Sequence, residues 1–217
     1  MPEQSTTSER RTLGLAPGAP VEAAGQDARK YATNNPVVRK LIARWLEVVK
    51  RAVALDQLAP GYTHVDVGVG EGLALQRLIP DGARVVGVEY RADKLRAARA
   101  SMAGLAGVVS DAGLLPIRDS CADLVTCIEV LEHLTEPAVA VGELARITRR
   151  RCVISVPWEP WFRLGNLGRG KNVARIGNDP EHLQAFSPRR LDALMRQSFS
   201  NVRVHSAFPW VVAVGTR

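Results

Sequence analysis

The stretch VDVGVGEG, Val65 to Gly72, places three glycines within five positions directly after an apolar run. Residues 62–67 have the character of a strand, and residues 73–78 suit a helix. The pattern predicts a strand, a tight turn and a helix N-terminus, which together present backbone N–H groups to a ligand. A glycine-rich turn without any ligand is the alternative that this stretch alone leaves open.

The composition is that of a globular protein with a core. The chain has 217 residues, of which 46% are hydrophobic, and this suits one domain. It contains no run of about 18 apolar residues, so we predict no membrane span. The first residues, MPEQSTTSERR, lack the apolar core of a signal peptide, and the three cysteines form no CxxC pair or zinc spacing. We therefore expect a soluble, cytoplasmic protein.

The charge is unevenly distributed. The formal net charge is +7, and the basic excess is concentrated between residues 146 and 175, where Glu159 is the only acid. Such a stretch can mark contact with nucleic acid or with an anionic membrane surface. A solvated basic face explains it equally well, so the charge alone names no partner.

The chain divides into parts by composition and pattern. Residues 1–29 are rich in small and polar residues, which predicts a flexible tail before a single domain over residues 30–217. Apolar residues at helical spacing predict an amphipathic helix within residues 30–57. Residues 157–187 are long, rich in proline and glycine, and carry two tryptophans, which predicts an insert or lid on the substrate side.

Between these parts, strand-like and helix-like segments alternate from residue 64 to residue 156. Such alternation is typical of a parallel sheet with both faces covered. The last strand candidates, residues 202–206 and 211–215, are joined by so short a link that they should pair antiparallel. We predict an α/β fold with a seven-stranded, mostly parallel sheet, an antiparallel last strand, and helices on both faces.

The residues around the glycine stretch narrow the choice of ligand. Glu89 ends the second strand candidate, where a carboxylate can accept hydrogen bonds from both hydroxyls of a ribose. Leu73 stands where a dinucleotide-binding GxGxxG loop has its third glycine, and the lysine of a P-loop is missing. Asp66 would repel a pyrophosphate and could help to hold a cationic amino-acid group. A nucleoside with an ammonium group and no phosphate indicates S-adenosylmethionine.

These residues resemble the class I S-adenosylmethionine-dependent methyltransferases. Residues 65–72 look like the first motif of that family, although Val69 replaces a frequent cysteine. Ser110-Asp111-Ala112 matches the loop after the third strand, and SCADLVTCIEVLEHL, residues 120–134, looks like the fourth strand of the ubiquinone-biosynthesis-like subgroup. The resemblance implies a Rossmann-like methyltransferase fold over residues 60–156, with the reversed last strand within residues 187–217.

The resemblance also assigns roles to cofactor-binding positions. It implies that the glycines let the backbone approach the cofactor, that Asp66 supports the ammonium group, and that Glu89 binds the ribose. It further implies that Tyr90 and residues 111–112 meet the adenine. The predicted cofactor-binding residues are Asp66, Gly68, Gly70, Glu89, Tyr90, Asp111, Ala112, Ile128, Glu129 and Tyr31. Tyr31 could close over the methionine end, and a packing role is an equal alternative.

The candidate catalytic residues are Glu132, His133 and His182. Methyl transfer from a sulfonium is an in-line displacement, so alignment and exclusion of water supply much of the catalysis. A base is needed when the acceptor is a hydroxyl or a carbon acid. Related quinone and small-RNA O-methyltransferases imply that Glu129, Glu132 and His133 could hold Mg²⁺ or another divalent ion. The alternative is that no metal binds and that His133 caps or packs.

The insert offers aromatic side chains at Trp158, Trp161 and Phe162 beside several arginines. This surface suits an amphipathic or anionic acceptor or a shallow contact with a membrane, while packed core with solvated arginines is the alternative. His182 is the first choice for a polar contact with substrate, whereas His64 and His205 fall on strands and look structural.

The sequence favours a methyltransferase that acts on a small-molecule or lipid-type acceptor, with oxygen as the favoured methyl-accepting atom. An RNA methyltransferase is an alternative, but no separate RNA-binding module is evident. A non-catalytic protein that binds S-adenosylmethionine through the same fold is another. Leu73 and the reversed hairpin weigh against a nicotinamide oxidoreductase. Fold alone does not decide among these functions.

Overall fold

The computed structural model describes residues 31, 33–54, 57–79, 84–168 and 182–217. The helices within these ranges are α1 Pro36–Val53, α2 Leu73–Leu78, α3 Ala92–Ser101, α4 Pro137–Ile147, α5 Trp161–Gly168 and α6 Pro188–Met195. The strands are β1 His64–Val67, β2 Val85–Glu89, β3 Leu105–Val109, β4 Ala122–Ile128, β5 Thr148–Pro157, β6 Asn201–Ala207 and β7 Trp210–Thr216. The predicted flexible tail, residues 1–29, lies outside the described residues.

The strands form one seven-stranded sheet in the order β3-β2-β1-β4-β5-β7-β6. Neighbouring strands from β3 to β5 pair in parallel, and β7 runs antiparallel to both β5 and β6. The predicted fold class is therefore confirmed. Because the strand order changes direction between β1 and β4, a crevice opens beyond their carboxyl ends, where open α/β sheets bind ligands.

Helices cover both faces of the sheet, as predicted. One buried cluster joins the sheet to α4 and α6 through residues such as Leu144 and Leu191. The other joins the opposite face to α1, α2 and α3 through residues such as Trp45, Leu75 and Leu95. The near-continuous burial of β1 and β4 follows from this double cover.

Helix α1 begins and ends at recognisable signals. The side chain of Asn35 accepts hydrogen bonds from the N–H groups of Val37 and Val38, and Pro36 occupies the first turn. The predicted apolar stripe is buried against the sheet. Within it, the Trp45 ring stacks on Trp210 with centroids 5.1 Å apart, and its Nε1 donates to Ser155 Oγ at 2.8 Å. The stripe therefore fixes α1 against β5 and β7.

The two ends of the predicted insert, residues 157–187, lie side by side. Trp158 forms an isolated parallel bridge with Phe186, and the N–H of Glu159 donates to the Phe186 carbonyl at 2.9 Å. Helix α5 follows directly, and residues 169–181 lie outside the described residues. Among the helices of the described ranges, none is long and apolar enough to cross a membrane.

Candidate functional site

The predicted cofactor-binding residues gather at one edge of the sheet. Asp66 lies on β1, Glu89 ends β2, Asp111 follows β3, and Ile128 ends β4. Parallel strands in register bring their carboxyl ends to a common edge, so four separate segments of the chain meet there. The sequence pattern predicted that these residues lie near strand ends, and the pairing of the strands brings those ends together.

The glycine loop after β1 depends on backbone conformations that suit glycine. Gly68, Gly70 and Gly72 have φ angles of 79°, 55° and 81°, in the left-handed region where a side chain is strained. The N–H groups of Gly68 and Val69 both donate to the Val88 carbonyl, at 2.8 and 3.0 Å. A Cβ on Gly68 would come closer than 3.0 Å to the Val130 side chain. The loop is therefore held tightly against both β2 and the segment after β4.

Glu89 fastens the loop to the end of β2. Its Oε2 accepts a hydrogen bond from the N–H of Gly70 at 2.9 Å, and its Oε1 accepts one from the N–H of Arg91 at 2.9 Å. The side chain is nearly buried. Both carboxylate oxygens are thus oriented by backbone donors, so the predicted ribose-binding group stands in a defined position beside the glycine loop.

Asp66 lies in the core at the base of the loop. It is 6% exposed and accepts a hydrogen bond from the Thr126 hydroxyl on β4. Burial raises the pKa of Asp66 to about 7; the bond from Thr126 opposes this rise, and the charge of Glu89 adds to it. Thr126 is bonded in turn to His64 Nε2 at 2.8 Å. Asp66 and Glu89 therefore place two acidic groups beneath the same loop.

The residues predicted to meet the adenine lie beyond β2 and β3. The Tyr90 ring is 73% exposed at the rim of the edge. The Ser110 N–H donates to the Glu89 carbonyl at 3.1 Å, which joins the ends of these two strands. Asp111 Oδ1 accepts from the N–H of Gly113 at 2.7 Å, so the carboxylate shapes its own turn. Ala112 is buried.

The remaining predicted cofactor-binding residues flank the loop from two sides. Ile128 is buried at the end of β4. Glu129 follows it with a φ of 60°, and its N–H donates to the Ser155 carbonyl at 2.8 Å. Tyr31 packs against α2, with the Arg77 guanidinium 4.3 Å from its ring centroid. The roles of these three residues remain predictions.

The candidate catalytic residues Glu132, His133 and His182 form one group. One ligand atom from each lies within 4.8 Å of the others. The rings of His133 and His182 are 5.2 Å apart between centroids, and the Glu132 carbonyl accepts hydrogen bonds from the N–H groups of Leu183 and Gln184. These bonds hold the segment after the insert against the turn after β4. His182 thus stands beside Glu132 and His133, and the cluster of potential ligands does not include Glu129.

Two residues of this edge were not predicted from the sequence. Glu159 is buried, and its Oε1 lies 3.8 Å from His182 Nδ1. Thr126, which holds Asp66, is a fully buried hydroxyl. In the sequence, Glu159 is visible only as the one acid in a basic stretch, and Thr126 only as a polar residue in the otherwise apolar run 124–128. Neither signal identifies its partner, because the partners are distant in sequence.

Comparison with known proteins identifies the central segment. A family model described as a methyltransferase domain matches residues 65–156, which run from β1 into β5. Residues 65–156 are thus similar to this family, and we refer to them by its description as the methyltransferase domain. The methyltransferase domain therefore contains the glycine loop, Glu89, Asp111 and the turn after β4.

Curated relatives of the methyltransferase domain include enzymes named for quinone biosynthesis. Ubiquinone biosynthesis O-methyltransferase of Bordetella parapertussis is 28% identical over 159 residues, covering 64% of this chain and 61% of that protein. Demethylmenaquinone methyltransferase of Beutenbergia cavernae is 28% identical over 145 residues, covering 63% of this chain and 59% of that protein. The chain thus spans about three fifths of the length of these curated relatives.

Solved structures share the fold of the methyltransferase domain. Magnesium protoporphyrin IX methyltransferase from Synechocystis PCC 6803, solved with bound SAH, has a TM-score of 0.64 at 17% identity and covers 99% of this chain and 95% of its own. A SAM-dependent methyltransferase from Aquifex aeolicus has a TM-score of 0.57 at 15% identity and covers 84% of this chain and 93% of its own. At these identities the likeness establishes the Rossmann-like methyltransferase fold.

Proposed function

We propose that the protein is an S-adenosylmethionine-dependent methyltransferase that acts on a small-molecule acceptor. The observation that carries the proposal is the pair of acidic side chains beneath the glycine loop, Asp66 on β1 and Glu89 at the end of β2. Two acidic groups in this position repel a pyrophosphate and attract a cation. A nucleoside with an ammonium and a sulfonium group suits this environment better than a nicotinamide dinucleotide does.

The residues present fit this cofactor. Gly68 and Gly70 leave space and backbone groups at the loop, Glu89 would accept hydrogen bonds from the ribose, and Asp66 would support the ammonium group. The exposed ring of Tyr90 would lie against the adenine. When bound, the cofactor supplies a methyl group on a sulfonium. The remaining predicted cofactor-binding residues, Asp111, Ala112, Ile128, Glu129 and Tyr31, would complete the walls of the site.

The acceptor side of this proposal rests on the segment around His182. Leu183, next to His182, is an exposed apolar side chain, and helix α5, whose Phe162 ring contacts His182, exposes Trp161 and Leu164. The exposed Phe208 packs against Trp161. Such a surface suits an amphipathic acceptor, or a shallow contact with a membrane face, better than it suits RNA. Two curated relatives are named for methyl transfer in quinone biosynthesis, which supports an acceptor with an apolar part. A hydroxyl acceptor would lose its proton to His182.

A divalent metal is a secondary proposal. Glu132, His133 and His182 can each offer one ligand atom to a common point. Two imidazoles and one carboxylate suit Zn²⁺ or another transition metal better than the Mg²⁺ predicted from the sequence. Such an ion would bind His182 as a ligand in place of its role as base, and would polarise the oxygen of a hydroxyl acceptor. We also propose a cytoplasmic location, because the three cysteines are free and disulfides are rare in that compartment.

Titration calorimetry tests the cofactor assignment. We expect S-adenosylmethionine and S-adenosylhomocysteine to bind the wild type and NADH to give no heat. Glu89→Ala should weaken the binding by about 1–3 kcal/mol, because a ribose hydroxyl loses its acceptor in a nearly buried site. Asp192→Ala is the matched control, since it removes a half-buried carboxylate on α6 that is paired with Arg196. Binding of NADH in place of the adenosyl ligands would refute the proposal.

Three further measurements test the acceptor class, the membrane contact and the metal. The first measures transfer of a labelled methyl group to simple catechols and short-chain quinols. A rate that falls at least tenfold in His182→Gln would support His182 as the base. Vesicle sedimentation of wild type and Trp161→Ala tests the membrane contact. Activity that is unaffected by chelation and by added Zn²⁺ would refute the metal. Transfer to RNA with no transfer to any small hydroxyl acceptor would overturn the acceptor class.

A further inference from the structure

A chain of three polar side chains runs through the core directly below the glycine loop. His64 and Asp66 lie on β1, and Thr126 lies opposite them on β4. His64 Nε2 is 2.8 Å from Thr126 Oγ1, and the Thr126 hydroxyl donates to Asp66 Oδ1. His64 is 1% exposed and Thr126 is fully buried. Water therefore does not compete for these bonds, and each proton in the chain has a defined place.

The chemistry of a hydroxyl group fixes the direction of the chain. A threonine has one O–H proton; when Asp66 is a carboxylate, Thr126 donates that proton to it, so the Thr126 oxygen accepts the hydrogen bond from His64. His64 must then carry its proton on Nε2. Burial lowers the pKa of His64 to about 3, so the ring is neutral across the physiological range. Among the described residues, its Nδ1 has no hydrogen-bond partner.

Apart from the Thr126 hydroxyl, the surroundings of Asp66 disfavour the charged form of its carboxyl group. Glu89 at the end of β2 faces it with a further acidic group. Cys127 on β4 is also near, and burial raises the pKa of its thiol well above the usual value. In the described part of the chain, the Thr126 hydroxyl is the group that stabilises the carboxylate. Asp66 is therefore poised between its neutral and charged forms.

We propose that His64 and Thr126 are positioning residues for Asp66, and that this buried chain couples the binding of a cationic cofactor to the release of one proton from Asp66. The inference rests on the proposed function, because it requires an ammonium group above Asp66. Binding of the cation would favour the carboxylate, and the carboxyl proton would pass to solvent. The carboxylate would then accept hydrogen bonds from the ammonium group and from Thr126, while His64 keeps the hydroxyl directed toward it.

Calorimetry on the wild type tests the proton release. S-adenosylhomocysteine, which carries the ammonium group, is titrated at pH 6 in two buffers of different ionisation enthalpy. We expect close to one proton released at pH 6 and close to none at pH 8. Because the pKa of Asp66 is about 7, the Kd should be about tenfold weaker at pH 6 than at pH 8. Adenosine lacks the ammonium group and should release no proton.

Variants of Thr126 test the positioning role. Thr126→Val removes the hydroxyl at nearly constant volume. If its loss raises the proton affinity of Asp66 about tenfold, binding at pH 7 weakens about fivefold and the pH profile moves to higher pH. Thr126→Ser should restore the wild-type profile. Thr148→Val is the matched control, because that buried hydroxyl donates to the Leu144 carbonyl, and the profile should not change.

The outcomes separate the inference from the proposed function. Binding of S-adenosylhomocysteine without proton release at pH 6 would overturn the inference and leave the proposed function intact. No binding at any pH from 6 to 9 would overturn both. Should a variant unfold, ¹⁵N spectra of the wild type decide the arrangement of the chain. A His64 proton on Nε2 at pH 8 supports the chain, and a proton on Nδ1 overturns it.

Discussion

Replacing Gly68 by alanine should test how closely the glycine loop is packed. Gly68 and Gly61 share a φ angle of 79°, so an alanine suffers the same backbone strain at both positions. The two sites differ in space. A Cβ at Gly61 meets nothing within 4 Å, whereas a Cβ at Gly68 comes closer than 3.0 Å to Val130. Gly61→Ala is therefore the matched control for the backbone term alone.

The expected losses of stability follow from two costs, backbone strain and overpacking. Left-handed backbone costs an alanine roughly 1–2 kcal/mol, which is the expected loss in Gly61→Ala. Overpacking adds about 1–3 kcal/mol, so Gly68→Ala should lose about 2–5 kcal/mol in the free energy of unfolding. Val130→Ala removes the clashing methyl groups. In the double variant, the added cost of Gly68→Ala should fall back toward that of Gly61→Ala.

Urea unfolding followed by circular dichroism measures these free energies. Gly68→Ala should also weaken the binding of S-adenosylhomocysteine, since relief of the clash would displace the loop. Gly61→Ala should leave binding unchanged. Equal losses of stability in Gly68→Ala and Gly61→Ala, or no coupling between Gly68 and Val130, would refute the packing argument.

Three further predictions concern stability. Trp45→Phe keeps an aromatic ring against Trp210 but leaves the buried Ser155 hydroxyl without its donor, so urea unfolding should show a loss of about 1–3 kcal/mol that shrinks in a Ser155→Ala background. Gly142→Ala adds a methyl group in open space within α4, so the free energy of unfolding should rise by about 0.5–1 kcal/mol and the melting temperature should rise with it. Burial lowers the pKa of His64 to about 3, so the contribution of His64 to the free energy of unfolding is lost as pH falls below 6.5. Burial raises the pKa of Asp66 to about 7, so the contribution of Asp66 is lost as pH rises above 3.8. Between pH 4 and 6.5, His64→Phe and Asp66→Asn should therefore change the slope of stability against pH in opposite directions, by about 1.4 kcal/mol per pH unit each, and equal slopes would contradict the assignment.

Much of the fold could be predicted from the sequence because its signals are local. Alternating strand and helix patterns predicted a parallel sheet covered on both faces, and the short link near Phe208 predicted the reversed last strand. The glycines after β1 and the acid at the end of β2 were also visible, because a tight turn and a strand end restrict residue type at specific positions. These features need only neighbouring residues to be recognised.

The contacts across the sheet could not be predicted in the same way. Asp66 and Thr126 are 60 residues apart, and they meet because β1 pairs with β4 in one register. His182 joins Glu132 because the backbone after the insert bonds to the turn after β4. Glu159 lies near His182 because its N–H bonds to the Phe186 carbonyl, which joins the two ends of the insert. A single sequence carries no local signal for these pairings.

The sequence by itself determined the strand–glycine–helix unit and the acids at the strand ends, and it favoured the class of cofactor that we propose. Only the tertiary structure decided which polar groups share a proton and which potential ligands share a point in space. The physical reason is that a hydrogen bond or a metal site depends on distances of a few ångströms. Such distances between distant residues are set by strand order and register, and these emerge from the packing of the whole sheet.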